Sequence, residues 1–381
     1  MNKLIYILFV LLFQISFGQD AFHNFGNAKI HDNGAIGFHV DVINDGTFDN
    51  NEGLAGFYNS DSNLTVSGSN RPIFKDMEIA VVDNLNLDVS VGVTNMIDYI
   101  DGLIITPRND LNVNLDFLNN SIYFGENDNR HTDGYATVTG ELDFKFPIGD
   151  DYRLRPLSVI PTNFTSERFQ SAYFFEDPNS PSTFNESFNT DTFEPELSII
   201  STQEYWDLNG TESTQAQLTW DSQSLIEILA QSLNDLRVVG FSINNQKWED
   251  LGNIATTGNF ETGTITSESF IPNEFEIITI GSVLKADGSV TIYDIITPNG
   301  DGNNDFLVIG GLEAFPDNEL ILYNRWGVEV YRKSSYDNSF NGISDGRATI
   351  NQENILPVGT YYYVLKINGK NNMAGPFYIN R

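Results

Sequence analysis

The sequence predicts an all-β protein, with an N-terminal β-solenoid-like module of the right-handed β-helix kind followed by two immunoglobulin-like β-sandwich domains. Three observations carry this expectation. Aromatic residues make up 13% of the 381 residues, with 28 Phe and 16 Tyr, and such side chains pack well on a pleated, half-buried surface. Apolar and polar residues alternate through LNLDVSVGV, which sets Leu85, Leu87, Val89, Val91 and Val93 against Asn86, Asp88, Ser90 and Gly92. A similar opening recurs as LTVSG at Leu64, LNLDV at Leu85 and LNVNLDF at Leu111, 21 and then 26 residues apart. Those intervals suit one rung of a solenoid; a β-sandwich with long loops is the alternative.

Taken in order, residues 1–18 read as a secretory signal peptide, with a lone Lys3, an apolar run over 4–13, and Ser16 and Gly18 just ahead of Gln19. The run is short for a permanent membrane anchor. Residues 19–175 form the solenoid-like surface module. Within it PIFKDMEIAVVDN supplies Phe74, Met77 and Ile79 as further sides of a coil before an Asp-Asn turn, and MIDYIDGLIIT does the same in the next rung. Leu142, Phe144 and Phe146 alternate as a buried face that Pro147 and Gly149 end.

Residues 176–196, rich in Pro, Ser and Asn, read as a linker. Residues 197–283 read as a sandwich of about seven strands: Ala216, Leu218 and Trp220 share a face, and Phe275, Ile277 and Thr279 oppose Glu276, Ile278 and Ile280. Ser224 caps the best helix candidate, with Leu225, Ile228, Leu229 and Leu233 at helical spacing. After KADGS at 285–289, residues 289–381 form a last unit, large enough to fold alone, in which Tyr361, Tyr363, Leu365 and Ile367 alternate against Tyr362, Val364 and Lys366 as a strand.

Charge and composition narrow the function. A net charge of -32 repels phosphate backbones and anionic lipid, so nucleic acid is not a partner. With no Cys, disulfides, thiol nucleophiles and a lipid-carrying cysteine are all excluded.

Two resemblances follow from motifs. Within RHTDGYATVTGELDFKFPIGDDYRLRPL, Arg130-His131, Gly134-Tyr135 and Phe146-Pro147-Ile148-Gly149-Asp150 resemble a segment recurring in surface proteins of Bacteroidota, which implies an extracellular module. The chain's end carries ITPNGDGNND (Pro298, Asn299, Gly300, Asp301, Gly302, Asn304, Asp305), LYNRWGVEVY (Asn324, Arg325, Trp326, Gly327), LPVGTYYYVL (Gly359, Thr360, Tyr361) and GPFYINR. In that order these are similar to the gliding-motility-associated C-terminal domain, the type B sorting domain of type IX secretion cargo. The resemblance implies a β-sandwich read during passage across the outer membrane, the type IX machinery and PorP/SprF-type outer-membrane proteins as partners, and a secreted or cell-surface location. Phe340-Asn341-Gly342 stands where that pattern has Trp-Asx-Gly.

Asp301, Asn303 and Asp305 have the spacing that opens a calcium loop, although Phe306 and Leu312 occupy the positions of its glycine and its bidentate glutamate. The competing reading is that Asp and Asn side chains cap their own turn. No catalytic motif is found: the histidines are His23, His31, His39 and His131, and no GxSxG elbow occurs. His39 and Asp41 would share a strand face as zinc ligands do, with ordinary polar positions of a terminal cap as the alternative, and His131 lies beside Arg130 and Asp133, a cluster that equally suits ordering a turn. Tyr205, Trp206 and Trp248 suit sugar stacking, with a core role for the two Trp as the alternative. The function expected is an adhesin-like or structural surface protein with no cofactor, its solenoid facing a glycan or surface polymer. A polysaccharide lyase or hydrolase on that solenoid is the alternative.

Overall fold

The computed structural model describes residues 21–140, 142–162, 167–230, 232–283, 290–300, 304–312, 315, 317–345, 355–367 and 370–381. The expected signal peptide and the 285–289 linker lie outside them. The chain forms two compact units, Met1–Ser282 and Val283–Arg381. It is 51% strand and 4% helix, so it is all-β as its composition predicts.

The first unit begins as a β-solenoid of about six turns. One parallel sheet takes Ala21–Asn24, Asp41–Asn44, Leu64–Ser67, Leu85–Leu87, Ile104–Ile105 and Thr132–Asp133. The second takes Ala35–Phe38, Leu54–Asn59, Ile73–Val81, Val91–Asp101, Leu115–Leu118 and Ala136–Gly140. The chain visits the sheets alternately, so like residues stack on like. Phe38 registers with Phe57 at a ring separation of 5.2 Å, and Phe48 and Phe74 extend the column at 5.2 Å. Such pairs contribute about 0.5–1.5 kcal/mol beyond the area they bury.

Corners are the other half of the design, because a corner removes backbone groups from the ladder and they need partners. Asn24 Nδ2 donates to Asn44 Oδ1 at 2.7 Å, and Asn44 Nδ2 donates to the Asn70 carbonyl at 2.8 Å. Asn51 Oδ1 accepts from the Ile30 N–H at 2.6 Å while its Nδ2 donates to the Ile73 carbonyl at 2.7 Å. Gly102, at φ 78°, sits where a Cβ would lie 1.9 Å from the Val81 carbonyl oxygen, so no other residue fits that corner.

Several expectations change at the corners. Leu64 and Leu85 are register partners, as their shared opening predicts, but the next partner of Leu85 is Ile104. The third copy, LNVNLDF, is out of phase: its Leu115 pairs with Val91 in the other sheet. LNLDVSVGV is two strands rather than one, because Ser90 turns the corner, donating to the Asn112 carbonyl and accepting from the Asn114 N–H. The Phe74, Met77 and Ile79 run forms a single nine-residue strand, not two sides of the coil. Leu142 is 61% exposed while Phe146 is fully buried, since Pro147 marks a passage between sheets.

Ile148–Asp150 adds one more parallel strand beside Thr132–Asp133, and the other ladders after Gly140 in this unit's sheets are antiparallel. Glu167–Phe174 pairs with Ala136–Gly140 and then with Tyr205–Asn209, and Phe275–Val283, Leu236–Ser242 and Trp248–Asp250 continue the same sheet. A five-stranded sheet of Phe144–Phe146, Leu157–Pro161, Thr214–Trp220, Gly263–Thr266 and Ala255–Gly258 shares the core with it. The strands of 197–283 are thus completed by strands from before the expected linker. Residues 176–196 do not separate two domains: Phe188 is buried, and Phe184 packs on Phe174 and Tyr205. The Ala216, Leu218, Trp220 face is buried as predicted, whereas Ile277, Ile278, Thr279 and Ile280 are all buried because their strand lies inside the sheet.

The expected helix at Ser224 shrinks to one turn, Ile226–Leu229. Leu225 adopts φ 51° and breaks the run, so Ile226 and Leu229 point inward and Ile228 is exposed. Asp221, rather than Ser224, caps the preceding turn.

Where the solenoid meets these strands, carboxylates are buried under tyrosine hydroxyls. Tyr135 Oη donates to Asp207 Oδ2 at 2.6 Å, and Asn209 Nδ2 donates to Asp207 Oδ1 at 2.7 Å. Burial nevertheless dominates and pushes the Asp207 pKa up to about 6. A carboxyl raised in the folded state favours folding below its unfolded pKa and loses that advantage as pH rises through the folded one. Asp207 should therefore cost stability progressively between about pH 4 and 6, by roughly 3 kcal/mol in all. Asp207→Asn keeps an acceptor for Tyr135 and should raise stability at pH 7 by about 1–2 kcal/mol. Urea unfolding across pH 4–7 checks this, the variant lacking that part of the decline.

In the second unit, Ile295–Ile296, Lys370–Ile379, Gly359–Ile367, Asn318–Tyr323 and Glu329–Ser334 form one sheet in that order. Thr291–Ile292 and Ile309–Gly310 form a small second sheet. Leu320, Leu322, Leu365, Phe377 and Ile379 fill the core, and of the predicted face Tyr361, Leu365 and Ile367 are buried while Tyr363 is half-buried against the core.

Candidate functional site

The zinc reading does not survive the corners. Asp41 opens a strand of the first sheet, while His39 follows a strand of the second. Asp41 Oδ1 accepts from the Thr65 N–H at 2.8 Å, and His39 Nδ1 lies 3.1 Å from the Tyr58 carbonyl oxygen. His23 pairs with Asp45 at 2.7 Å. Tyr205, Trp206 and Trp248 are all buried, which removes them as exposed sugar platforms; Tyr205 stacks on Phe174 at 4.9 Å.

Asp133, Asp150 and Asp151 bring carboxylate oxygens together, a grouping not evident from sequence. Arg108 already supplies its positive charge: Nη2 stands 2.6 Å from Asp133 Oδ1 and 3.1 Å from Asp150 Oδ1, and donates to the Gly149 carbonyl at 3.0 Å. His131 is buried beside Gly149, where a Cβ would meet its Nε2 at 2.4 Å. The Arg130-His131 and Pro147-Ile148-Gly149-Asp150 segments therefore fit one another: Gly149 is hemmed in by the His131 ring and, closer still to such a Cβ, by the Arg153 carbonyl oxygen at 2.2 Å. Burial lowers the His131 pKa, which favours the neutral ring.

In the C-terminal unit, the opening turn is built by its own side chains. Asp305 Oδ1 accepts from the Asn299 N–H at 2.9 Å and the Gly300 N–H at 2.7 Å, Thr297 N donates to the Asn304 carbonyl, and Gly300 takes φ 80°. Asp301, Gly302 and Asn303 lie outside the described residues, and with them two of the three calcium candidates. Pro298 packs close to Gly342, where an added Cβ would meet it at 3.0 Å, so the turn and Phe340-Asn341-Gly342 share one locality.

The other motifs converge elsewhere. Asn324 Oδ1 accepts from the Trp326 and Val328 N–H groups, both at 3.0 Å, and Gly327 at φ 77° closes that hairpin turn. The turn faces the start of the Gly359–Ile367 strand across a cavity of about 470 Å³. Asn324, Arg325 and Trp326 line one side, and Leu356, Pro357, Gly359 and Tyr361 line the other. Tyr361 Oη donates to the Pro357 carbonyl at 2.9 Å, which fixes that wall. Trp326 is 72% exposed, with the Arg325 guanidinium 4.2 Å from its ring centroid. Sequence flagged these residues separately; that Pro357 and Leu356 complete one hollow with them is a tertiary fact.

An all-β passenger followed by a separate terminal β-domain with an exposed aromatic surface is the layout of an exported cargo protein carrying its own address. Residues 290–379 match the CHU_C Type IX secretion signal domain, the C-terminal sorting domain of Bacteroidota cargo. The chain is thereby directed by type IX secretion to the cell surface or extracellular space. No curated protein and no solved structure matches it.

Proposed function

We propose that this is a non-catalytic, adhesin-like or structural surface protein whose sorting domain is recognised by a PorP/SprF-type outer-membrane partner through the Trp326 hollow. The observation that carries the recognition step is Trp326 itself. Leaving an indole in water forgoes about 1.5–3 kcal/mol of burial, and exposed Trp paired with Arg is the composition of binding hot spots. The passenger's acidity supports a role outside the cell as well: ten of 52 acidic and seven of 20 basic residues fall in 290–381, leaving that segment at -3 and the remainder at -29. The terminal address is thus nearly neutral and suited to close contact, while the passenger is strongly solvated.

Trp326→Ala should leave the thermal midpoint of the secreted protein unchanged, since the ring is exposed, and weaken partner binding by about 2 kcal/mol or more. Quantifying the chain in culture medium and on cells against the periplasm checks it; normal delivery would remove the hollow from the recognition step. For the passenger, the purified secreted chain should bind on a glycan or surface-polymer array without cleaving it. Turnover on a polysaccharide panel would favour the lyase or hydrolase reading instead.

A further inference from the structure

We infer that a second copy of this chain docks on the N-terminal end of the solenoid, edge to edge. Among the described residues, Ala21–Asn24 pairs only with Asp41–Asn44, and Ala35–Phe38 pairs only with Leu54–Asn59. Both sheets therefore end on the same rung, and among the described residues each ends on an edge paired on one side only. Along a parallel strand, successive residues direct their N–H and C=O groups to opposite sides. The Leu54 N–H donates to the Gly34 carbonyl at 3.0 Å, so Gly34 and Ile36 face the inner neighbour, and Ala35 and Gly37 face outward from the ladder. Proteins guard such edges with Pro, Lys or bulges; AFHN and AIGF contain none of these. The core reaches this end: Phe22 and Ile36 pack on it while only partly buried, with Phe22 5.4 Å from Phe38.

Charge and geometry select the occupant. Residues 21–40 hold one Lys, one Asp and three His, hence no net charge at neutral pH, whereas residues 41–63 hold five acidic residues and no basic one. In a chain of -32 this rung meets a copy of itself without charge repulsion. A lone peptide strand satisfies one edge, while a second solenoid end satisfies both together. Head-to-tail stacking finds no matching pair of parallel edges, because at the far end Glu167–Phe174 covers Ala136–Gly140 and the two-residue Arg153–Leu154 ends the other sheet, both antiparallel. A two-fold axis across the N-terminal rung is left, setting each edge against one that runs the opposite way. The inference takes residues 1–18 as removed on export.

Sedimentation equilibrium on the full-length secreted chain, up to ~100 µM, should show a dimer. Ala35→Glu places a carboxylate on the Ala35–Phe38 edge of each copy, and Gly37→Pro removes an outward N–H at a site where an added Cβ meets nothing closer than 3.4 Å. Each should weaken association by about tenfold or more with an unchanged thermal midpoint. Ile122→Glu, on an exposed position of another strand, should leave the dimer intact. A wild-type monomer throughout the range, a dimer that persists in both edge variants, or one lost in Ile122→Glu would overturn the inference.

Discussion

Removing residues 290–381 is expected to abolish delivery, leaving the passenger in the periplasm with its fold intact. The sorting domain match covers residues 290–379, and the passenger closes its own core within Met1–Ser282. The two units have separate hydrophobic clusters, so each holds a core of its own. Cell fractionation with a fusion reporter measures the effect. The reciprocal experiment is as decisive, since 290–381 placed behind an unrelated folded passenger should carry it outside. Surface delivery of the truncated chain would refute the assignment of the address.

The second large effect is on stability, and it lies at Arg155. This guanidinium is 4% exposed and stands 3.2 Å from Glu204 Oε2 and 2.6 Å from Asp221 Oδ2, while Glu204 is 1% exposed. Tyr173 Oη also donates to Glu204 Oε2 at 2.6 Å. Burial works against the charge on Arg155, but Glu204, Tyr173 and Asp221 together outweigh it and hold the guanidinium pKa up. Burial raises the Glu204 pKa despite the pull of Arg155. Arg155→Ala strands that carboxylate without its counter-charge, which costs about 3–5 kcal/mol, or on the order of 10 °C in melting temperature. The deficit should shrink as pH falls, because a carboxyl whose folded pKa is raised costs least when protonated. Arg155→Met combined with Glu204→Leu, which removes both charges, should recover most of the loss. Urea unfolding of the three proteins at two pH values tests the account; equal losses in the single and double variants would show that packing, not charge, is responsible.

What could be read beforehand follows a physical division. Alternation of apolar residues is a local property, so the all-β class and the inward faces of Thr214–Trp220 and Gly359–Ile367 were legible. Corners are not. Nothing local distinguishes Ser90, which turns the chain from one sheet to the other, from a polar residue within a strand, and so LNLDVSVGV read as one strand and LNVNLDF as a repeat in phase. Leu225 illustrates the same limit for helices. Its spacing with Ile228 and Leu229 is helical, yet its backbone is left-handed, because Asp221 and Ser224 cap each other first.

The recognition surface divides in the same way. Asn324, Arg325, Trp326 and Gly327 carry a turn signature in their own order, and so do Gly359, Thr360 and Tyr361. Their meeting across one hollow depends on the antiparallel pairing of Asn318–Tyr323 with both Glu329–Ser334 and Gly359–Ile367.

Composition and short motifs, being properties of residues and their near neighbours, carried the all-β class, the extracellular address and the lack of disulfides. Tertiary structure alone decided the phase of the rungs, the fusion of solenoid and following strands into one unit, the buried Arg155–Glu204 pair and the hollow at Trp326. Each of these depends on which distant segments share a ladder, and that is set by packing over the whole core rather than by any stretch of chain.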